Sequence, residues 1–363
     1  MEAANPAMVT FAREMREVKQ DDLAADLGIS QGTLSKIENG QFPITPDVVT
    51  KLAAALNYPE SFFFQDCKYW NLPVTFYRKR ARVPANAIRA VRAKACFLRL
   101  QMQILLRSLD IPTLRIPLIN PEEWHGDVEA VARELRMQLN LPPGPVDNVT
   151  RTLEDAGVVV TRCDFGSNQI DALSICEPDG LPPLILVNPN SSGDRLRFSL
   201  CHELGHVILH HHLPTSVDVD TEGQADRFAA EFLMPKADIR GHLSARLNLE
   251  RFVQLKAHWK VSIQALIRRA RSLGRISDRY ERTLYSTLSR YGYRKNEPGP
   301  IPPEEPGLFR ELIEFHLSNL GYSRNELARA LHVHPSDFRA LHTEKVAELR
   351  PVRSVKLADQ STG

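Results

Sequence analysis

Residues 198–210, Phe198-Ser199-Leu200-Cys201-His202-Glu203-Leu204-Gly205-His206-Val207-Ile208-Leu209-His210, carry the chain's most specific chemistry. His202 to His206 fits H-E-x-x-H. On a helix, residues four apart lie one above the other on one face. Two imidazoles placed that way hold one Zn²⁺ at about 2.0–2.1 Å each. Glu203 then stands beside the metal, where a carboxylate takes the proton of an attacking water. Phe198, Leu200, Leu204, Val207, Ile208 and Leu209 make the rest of the surface apolar, and Gly205 leaves room for another backbone to approach. The competing reading is a structural helix that happens to bear two histidines. His210 follows His206 by four and offers a second pair, with no Glu between them.

An open zinc site needs a third protein ligand. Residues 222–235, Glu-Gly-Gln-Ala-Asp-Arg-Phe-Ala-Ala-Glu-Phe-Leu-Met-Pro, follow after one short loop. Glu222 and Asp226 share a helix face, opposite Phe228, Ala229, Phe232 and Leu233. Glu222 is placed to ligate, and Asp226 to bond the second nitrogen of a ligand histidine from outside the metal. Asp218, Asp220 and Glu231 compete for the ligand role, and a solvated acidic face competes for the whole group. Pro235 ends the helix.

These two stretches together resemble the ImmA/IrrE family of zinc metallopeptidases, which pairs an H-E-x-x-H helix with a later E-x-E-A-N-x-F-A-A-x-x-L-M-P helix. The resemblance implies His202, His206 and Glu222 as zinc ligands and Glu203 as catalytic base. Gln224 departs from the acid common at its position, and Asp226 from the common Asn. The similarity runs from about residue 157 to about residue 298, including the stretch around Ser262, Ala265, Leu266 and Ala270.

The chain has 363 residues, 43% hydrophobic and 25% charged, with net charge +2. That is ordinary for a globular protein of two or three domains, and it excludes nucleic-acid binding by bulk charge. Five cysteines (Cys67, Cys96, Cys163, Cys176, Cys201) show no C-x-x-C spacing. Their odd number and the lack of a secretory segment point to reduced thiols in the cytoplasm. Cys201 reads as a packing residue. No apolar run is long enough to span a membrane.

Helices must carry a second function near the start. Leu23, Ala24 and Leu27 mark one helix face, Gly28 a tight turn, Ile29 a plug, and Ser30 an N-cap. Leu34 and Ile37 face inward, and Gly40 stops the helix. This resembles an Xre-type helix-turn-helix, whose second helix enters a major groove of double-stranded DNA. The resemblance implies Gln31, Gly32, Thr33 and Lys36 at base edges, with Gln20 and Asn39 near phosphates. Residues 1–64 hold five Lys or Arg against nine Asp or Glu, so protein docking competes with DNA binding. Residues 68–115 reverse the balance, with eleven Lys or Arg and one acid, Asp110. Periodic Ile88, Val91, Ala95, Leu98, Met102 and Leu105 predict a helix there. Arg89, Arg92, Lys94 and Arg99 fall on its other side, as a solvated face or a phosphate-contacting one.

Ahead of the metal helix, the pattern predicts helices from 127 and 148 and strands at 158–161, 170–175 and 184–188. The last is the candidate edge strand for holding a substrate backbone, against a plain core strand. Arg197 reads as an ion-pair partner. His210, His211, His212, His258 and Tyr280 are candidates for the donor that stabilises an oxyanion. Residues 296–306 read as a linker. Ser323 and Glu326 form a capping box in a second helix-turn-helix-like segment, for protein contact or DNA.

The fold expected is mainly α: an all-α helix-turn-helix at 1–66, a basic helical connector at 67–118, an α+β zincin-like peptidase domain at 119–298, a small helical domain at 299–350 and a disordered tail at 351–363. The function expected is a cytoplasmic, DNA-binding zinc endopeptidase acting on a repressor-like regulator, as a possible homodimer. The alternative is a transcriptional regulator whose metal is structural or sensory.

Overall fold

The computed structural model describes residues 3–66, 85–107, 109–110, 116, 126–166, 170–177, 179–210, 219–244, 247–342 and 356–357. The architecture is mostly helical with a small sheet. Two compact units form. One takes residues 1–111, 163–169 and 308–363, the other 112–162 and 170–307. No helix among the described residues is long and apolar enough to cross a membrane.

In the first unit, α1 (Pro6–Met15), α2 (Gln20–Leu27), α3 (Gln31–Glu38) and α4 (Pro46–Leu56) are followed by a 3₁₀ turn over Glu60–Phe64. Gly28 ends α2 at φ 70°, a left-handed conformation that costs glycine nothing in steric strain. Ser30 caps α3 by accepting from the Thr33 N–H at 3.1 Å. Met8, Phe11, Leu23, Leu34, Leu52 and Phe62 are wholly buried among these helices. Ile29, the expected plug, is half-buried.

Helix α5 (Ala85–Leu106) occupies the connector and packs on α1. Part of its basic face is engaged within its own unit. Ala90, Val91, Ala93, Ala95, Cys96 and Met102 are all buried, so the helix is covered on nearly every side. Arg99 is 1% exposed. Arg89 pairs with Glu14 at 3.4 Å, and Lys94 with Glu17 at 3.5 Å and the Asp164 carbonyl at 3.1 Å. A cation on a packed helix must find a partner inside its own unit, and here it finds the carboxylates of α1 and its C-terminal flank. The basic residues at 68–82 lie outside the described residues. Strand β1 (Leu109–Asp110) follows.

The second unit begins with α6 (Val128–Gln138), capped by Asp127, and α7 (Val149–Asp155), capped by Asn148. Strands β2 (Val159–Arg162), β3 (Ala172–Ile175) and β4 (Leu184–Val187) form one sheet in the order β2-β4-β3. β2 runs parallel and β3 antiparallel to β4. The candidate edge strand at 184–188 is therefore corrected: β4 is the central strand. Its four residues are consecutive apolar side chains, all buried, the pattern of a strand covered on both faces. β3 forms a sheet edge among the described residues.

Helix α8 (Gly193–Leu209) packs on β3 and β4, and α9 (Thr221–Leu233) packs on α8 and α6. Then come α10 (Lys236–His242), α11 (Leu249–Trp259), α12 (Ile263–Ser272) and α13 (Asp278–Arg290). One apolar core runs from Val131 and Leu135 through Ile185, Leu204 and Phe228 to Leu266.

Residues 297–307 are not a free linker. Glu297 accepts from Lys256 Nζ at 2.9 Å and the Ile263 N–H at 2.7 Å. Glu304 pairs with Arg197 and accepts from the Thr150 N–H at 2.7 Å. The Gly307 N–H donates to Glu154 at 2.9 Å. A Cβ on Gly193 would stand 2.3 Å from the Pro302 carbonyl oxygen, so only glycine lets this strap lie against the start of α8. Arg197 is a structural ion-pair residue.

Helices α14 (Leu308–Ser318), α15 (Arg324–Ala330) and α16 (Pro335–His342) belong to the first unit. The Ser323–Glu326 capping box forms, and Val333 is buried. Asp337 pairs with Arg16 at 2.7 Å, His332 Nδ1 meets Ser61 Oγ at 3.1 Å, and Gln101 Nε2 donates to the Leu331 carbonyl at 3.2 Å. These contacts hold the segment against the N-terminal bundle. In the tail, β5 (Lys356–Leu357) pairs antiparallel with β1, a departure from disorder at those two residues; the rest of 351–363 lies outside the described residues.

Candidate metal centre

Helix α8 presents His202 and His206 one turn apart, 9% and 7% exposed. Helix α9 crosses it at Gly205, where a Cβ would lie 3.2 Å from Ala225 Cα. That approach brings Glu222, in the first turn of α9, to the two histidines. His202 Nε2 and His206 Nε2 are 3.1 Å apart, and each is 3.4 Å from a Glu222 carboxylate oxygen. These three are the one potential metal-holding group among the described residues.

The separations test the fit of zinc. Four ligands about 2.05 Å from a tetrahedral Zn²⁺ stand about 3.3 Å from one another. The two Nε2 atoms are 3.1 Å apart, and Glu222 turns Oε2 to His202 and Oε1 to His206 at 3.4 Å each, so the three side chains converge at the spacing zinc ligands need. Two imidazoles and a carboxylate are also a zinc donor set with a fourth position left for water.

The competitors for the third ligand are otherwise engaged. Asp220 caps α9, accepting from the Gly223 N–H at 2.9 Å. Glu231 is 1% exposed and pairs with Arg269. Asp218 lies outside the described residues. Asp226 Oδ1 sits 2.8 Å from His202 Nδ1, which puts the histidine's proton on Nδ1 and leaves Nε2 to face the centre.

Glu203 is turned toward the sheet. Its Oε2 accepts from both the Ser174 N–H, at 2.9 Å, and the Ser174 hydroxyl, at 2.7 Å. Ser174 lies on β3 and was not signalled by sequence, since nothing local marks a serine in a short apolar strand. His210 does not form an alternative metal pair: its Nδ1 lies 2.9 Å from His206 Nδ1, on the far side from Nε2. Its Nε2 meets Gln224 Oε1 at 2.8 Å, and burial pushes its pKa down to about 4. Neither contact was read from the sequence. Tyr280 donates to the Leu247 carbonyl at 2.9 Å, and His258 packs on His242 and Trp259; His211 and His212 lie outside the described residues. Cys201 is fully buried, and burial pushes its thiol far up, which makes it inert packing.

In the first unit, Gln31, Gly32, Lys36 and Asn39 are exposed and Gln20 and Thr33 half-buried. Gln31 Nε2 donates to Gln20 Oε1, Gln20 Nε2 to Glu38 at 2.8 Å, and Arg13 Nε to Glu38 at 2.6 Å. This chain fixes the Gln31 amide at the start of α3. Thr33 Oγ1 meets Ser30 Oγ at 2.8 Å, Asn39 Nδ2 donates to the Ser35 carbonyl at 2.9 Å, and Lys36 Nζ stands 5.9 Å from the Phe42 ring centre.

Residues 153–271 match the IrrE N-terminal-like domain of the peptidase M78 family, and residues 11–63 match a helix-turn-helix family. The chain thus joins a helix-turn-helix segment to an M78-type segment that contains both histidines and Glu222. No curated protein matches it. Among solved structures, that of Bacillus thuringiensis PlcR in complex with the peptide PapR7 and DNA aligns with 13% identity, 81% of this chain, 98% of that chain and a TM-score of 0.16, which is too low to bear on the fold.

Proposed function

We propose that this chain is a DNA-binding zinc endopeptidase that cuts a repressor-like regulator. The observation that carries the reading is the convergence of His202, His206 and Glu222, with Glu203 next to His202 in the helix and held by Ser174. His202, His206 and Glu222 would hold the zinc. When bound, it would supply Lewis-acid polarisation of the scissile carbonyl and acidify the attacking water.

The chain's own residues supply the rest. Glu203 is the base: it takes the proton of the attacking water and passes it to the leaving amine. Ser174 steadies the Glu203 carboxylate with two hydrogen bonds, so the base is oriented before substrate arrives. The same serine places β3 beside the centre. The Ser174 N–H is taken by Glu203, so an extended peptide adding as a further strand at the outer edge of β3 would use the other backbone groups of that edge. Gln31, Thr33 and Lys36 would meet base edges, with Gly32 allowing close approach and Gln20 and Asn39 near the phosphates. Tethering the peptidase to that domain raises its effective concentration at a DNA-bound substrate. Five thiols without C-x-x-C spacing suit the reducing cytoplasm. A repressor-like helix-turn-helix commonly works as a homodimer on two half-sites.

The test is metal content by mass spectrometry, with cleavage of a candidate regulator, on wild type, His202→Ala, Glu222→Ala and Glu203→Gln. One zinc per chain, lost in the first two variants and kept in Glu203→Gln while cleavage falls by about 10²- to 10⁴-fold, supports the enzyme. Zinc retained and cleavage absent in every form, wild type included, would move the reading to a regulator with a structural metal.

A further inference from the structure

We infer that His210 and Gln224 are positioning residues that decide which nitrogen of His206 carries its proton, and so how tightly the site holds zinc. The inference rests on the metal reading above.

The nitrogen of His206 that faces His202 and Glu222 is Nε2. An imidazole binds a metal only through an unprotonated nitrogen, so the proton must sit on Nδ1. His206 Nδ1 is 2.9 Å from His210 Nδ1. One of these must donate and the other accept; His206 donates. A neutral His210 then carries its proton on Nε2, 2.8 Å from Gln224 Oε1, and donates to that oxygen. Every proton in the chain follows from the terminal group being an acceptor.

Gln224 is an acceptor in only one orientation. Turned over, its amide NH₂ donates to His210 Nε2. The His210 proton then belongs on Nδ1 and points at His206 Nδ1, and the His206 proton moves to Nε2, facing the metal position. An amide can end this chain with either polarity. A carboxylate ends it with one only, and a thioether with neither. His202 has no such freedom, because its Nδ1 faces the carboxylate of Asp226. The two histidines are therefore unequal: one is locked by an acid, the other set by an invertible amide.

The experiment measures zinc affinity of the full chain at pH 8, where free imidazoles are neutral, by competition with a zinc-binding dye. Wild type is compared with Gln224→Glu, Gln224→Met and His210→Ala, with thermal unfolding of each metal-free form as the control for folding. Gln224→Glu is expected to tighten zinc about tenfold, and Gln224→Met and His210→Ala to weaken it by about tenfold or more, the scale of substitutions behind a ligand histidine. A merely structural role would move both Gln224 variants in the same direction, and that result, or no change in either, overturns the inference. A second measurement needs no metal. Without zinc, His206 Nε2 faces Glu222 and His202 Nε2, so the readout is the change in tautomer ratio: nitrogen-15 imidazole spectra of the zinc-free chain should show a larger share of His206 protonated at Nδ1 in Gln224→Glu than in wild type. A share unchanged or reduced in Gln224→Glu overturns the inference whether or not zinc binds. A wild type that takes no zinc removes the metal reading, and the spectra still decide the chain.

Discussion

Replacing Gly205 by Ala sets two effects against each other. In a helix interior, alanine is favoured over glycine by about 0.8–1.0 kcal/mol, and Gly205 lies well inside α8. Against this, the added Cβ would stand 3.2 Å from Ala225 Cα and 3.2 Å from Phe228 Cδ1, inside the roughly 3.5–4.0 Å at which carbons rest against each other. Ala225 Cα is backbone, so relief comes from α9 retreating by a few tenths of an ångström. Overpacking of this kind costs about 1–3 kcal/mol, so the net effect is about 0–2 kcal/mol destabilising. Each kcal/mol shifts Tm by roughly 2–4 °C in a unit of this size. The retreat matters more to the site than to the fold. Glu222 rides on α9 and meets each ligand histidine at 3.4 Å, so a shift of a few tenths of an ångström draws its carboxylate away from the metal position. The assays are thermal unfolding of the metal-free chain and dye competition for zinc. The expected result is a Tm unchanged or lowered by up to several degrees, with zinc held several-fold more weakly. A Tm raised by a few degrees with zinc affinity intact would refute the reasoning, because it would mean that the two helices have slack at their crossing.

Arg269→Ala should destabilise by about 1–3 kcal/mol in urea unfolding, because Glu231, 1% exposed, loses its buried partner and keeps only Arg133 at 3.4 Å and the Lys236 N–H at 3.2 Å. Asp194 gives a pH prediction. Burial works to raise its pKa, but hydrogen bonds from Lys256 and Ser192 prevail and hold it below the ordinary value. The stability it contributes is full above the ordinary carboxylate pKa of about 3.9 and is lost as pH falls through the lower folded value. Asp194→Asn should therefore be less stable than wild type near neutrality, with the two unfolding curves converging in acid. In DNA binding, Lys36→Ala and Gln31→Ala should both relax base preference, and losing the Lys36 charge should also flatten the plot of log affinity against log salt by up to about 0.9, with the slope unchanged in Gln31→Ala; fluorescence anisotropy over a salt series separates the two.

The metal helix was legible because its signal is local. Helical spacing alone puts His202 and His206 on one face, and the Glu222–Asp226 pair repeats that spacing on α9. The order of the sheet was not legible. β3 and β4 are both four-residue runs with every side chain buried, so no alternation of polar and apolar residues told the centre from the edge. The supports of the site were missed for a related reason. Ser174 reaches Glu203 across 29 residues of chain, and Gln224 reaches His210 across 14; neither distance is a helical or strand period. Residues 296–306 read as a linker from sequence because their prolines and acids are a linker's composition. What fixes them are the cations they meet, Lys256 and Arg197, each far away in sequence.

Charge was the least reliable guide, for a reason that bears on how the chain could hold DNA. Counted by segment, the acidic bundle and the basic connector look like two surfaces of opposite sign. Folded, the described part of the connector spends Arg89 and Lys94 on Glu14 and Glu17, and Arg99 is buried. Part of the neutralisation is internal to the unit, while Arg89 stays about half exposed beside Glu14. Lys36 on α3 and Lys19 at the start of α2 remain exposed, while Asp21, Asp22 and Asp26 stay exposed on α2. Counterion release from two phosphate contacts gives a salt slope of only about −1.8, against slopes several times larger for tight operator binders. With these two cations alone, specific binding would draw on polar base contacts, and on pairing of two copies over adjacent half-sites if the chain dimerises as repressor-like helix-turn-helix proteins commonly do.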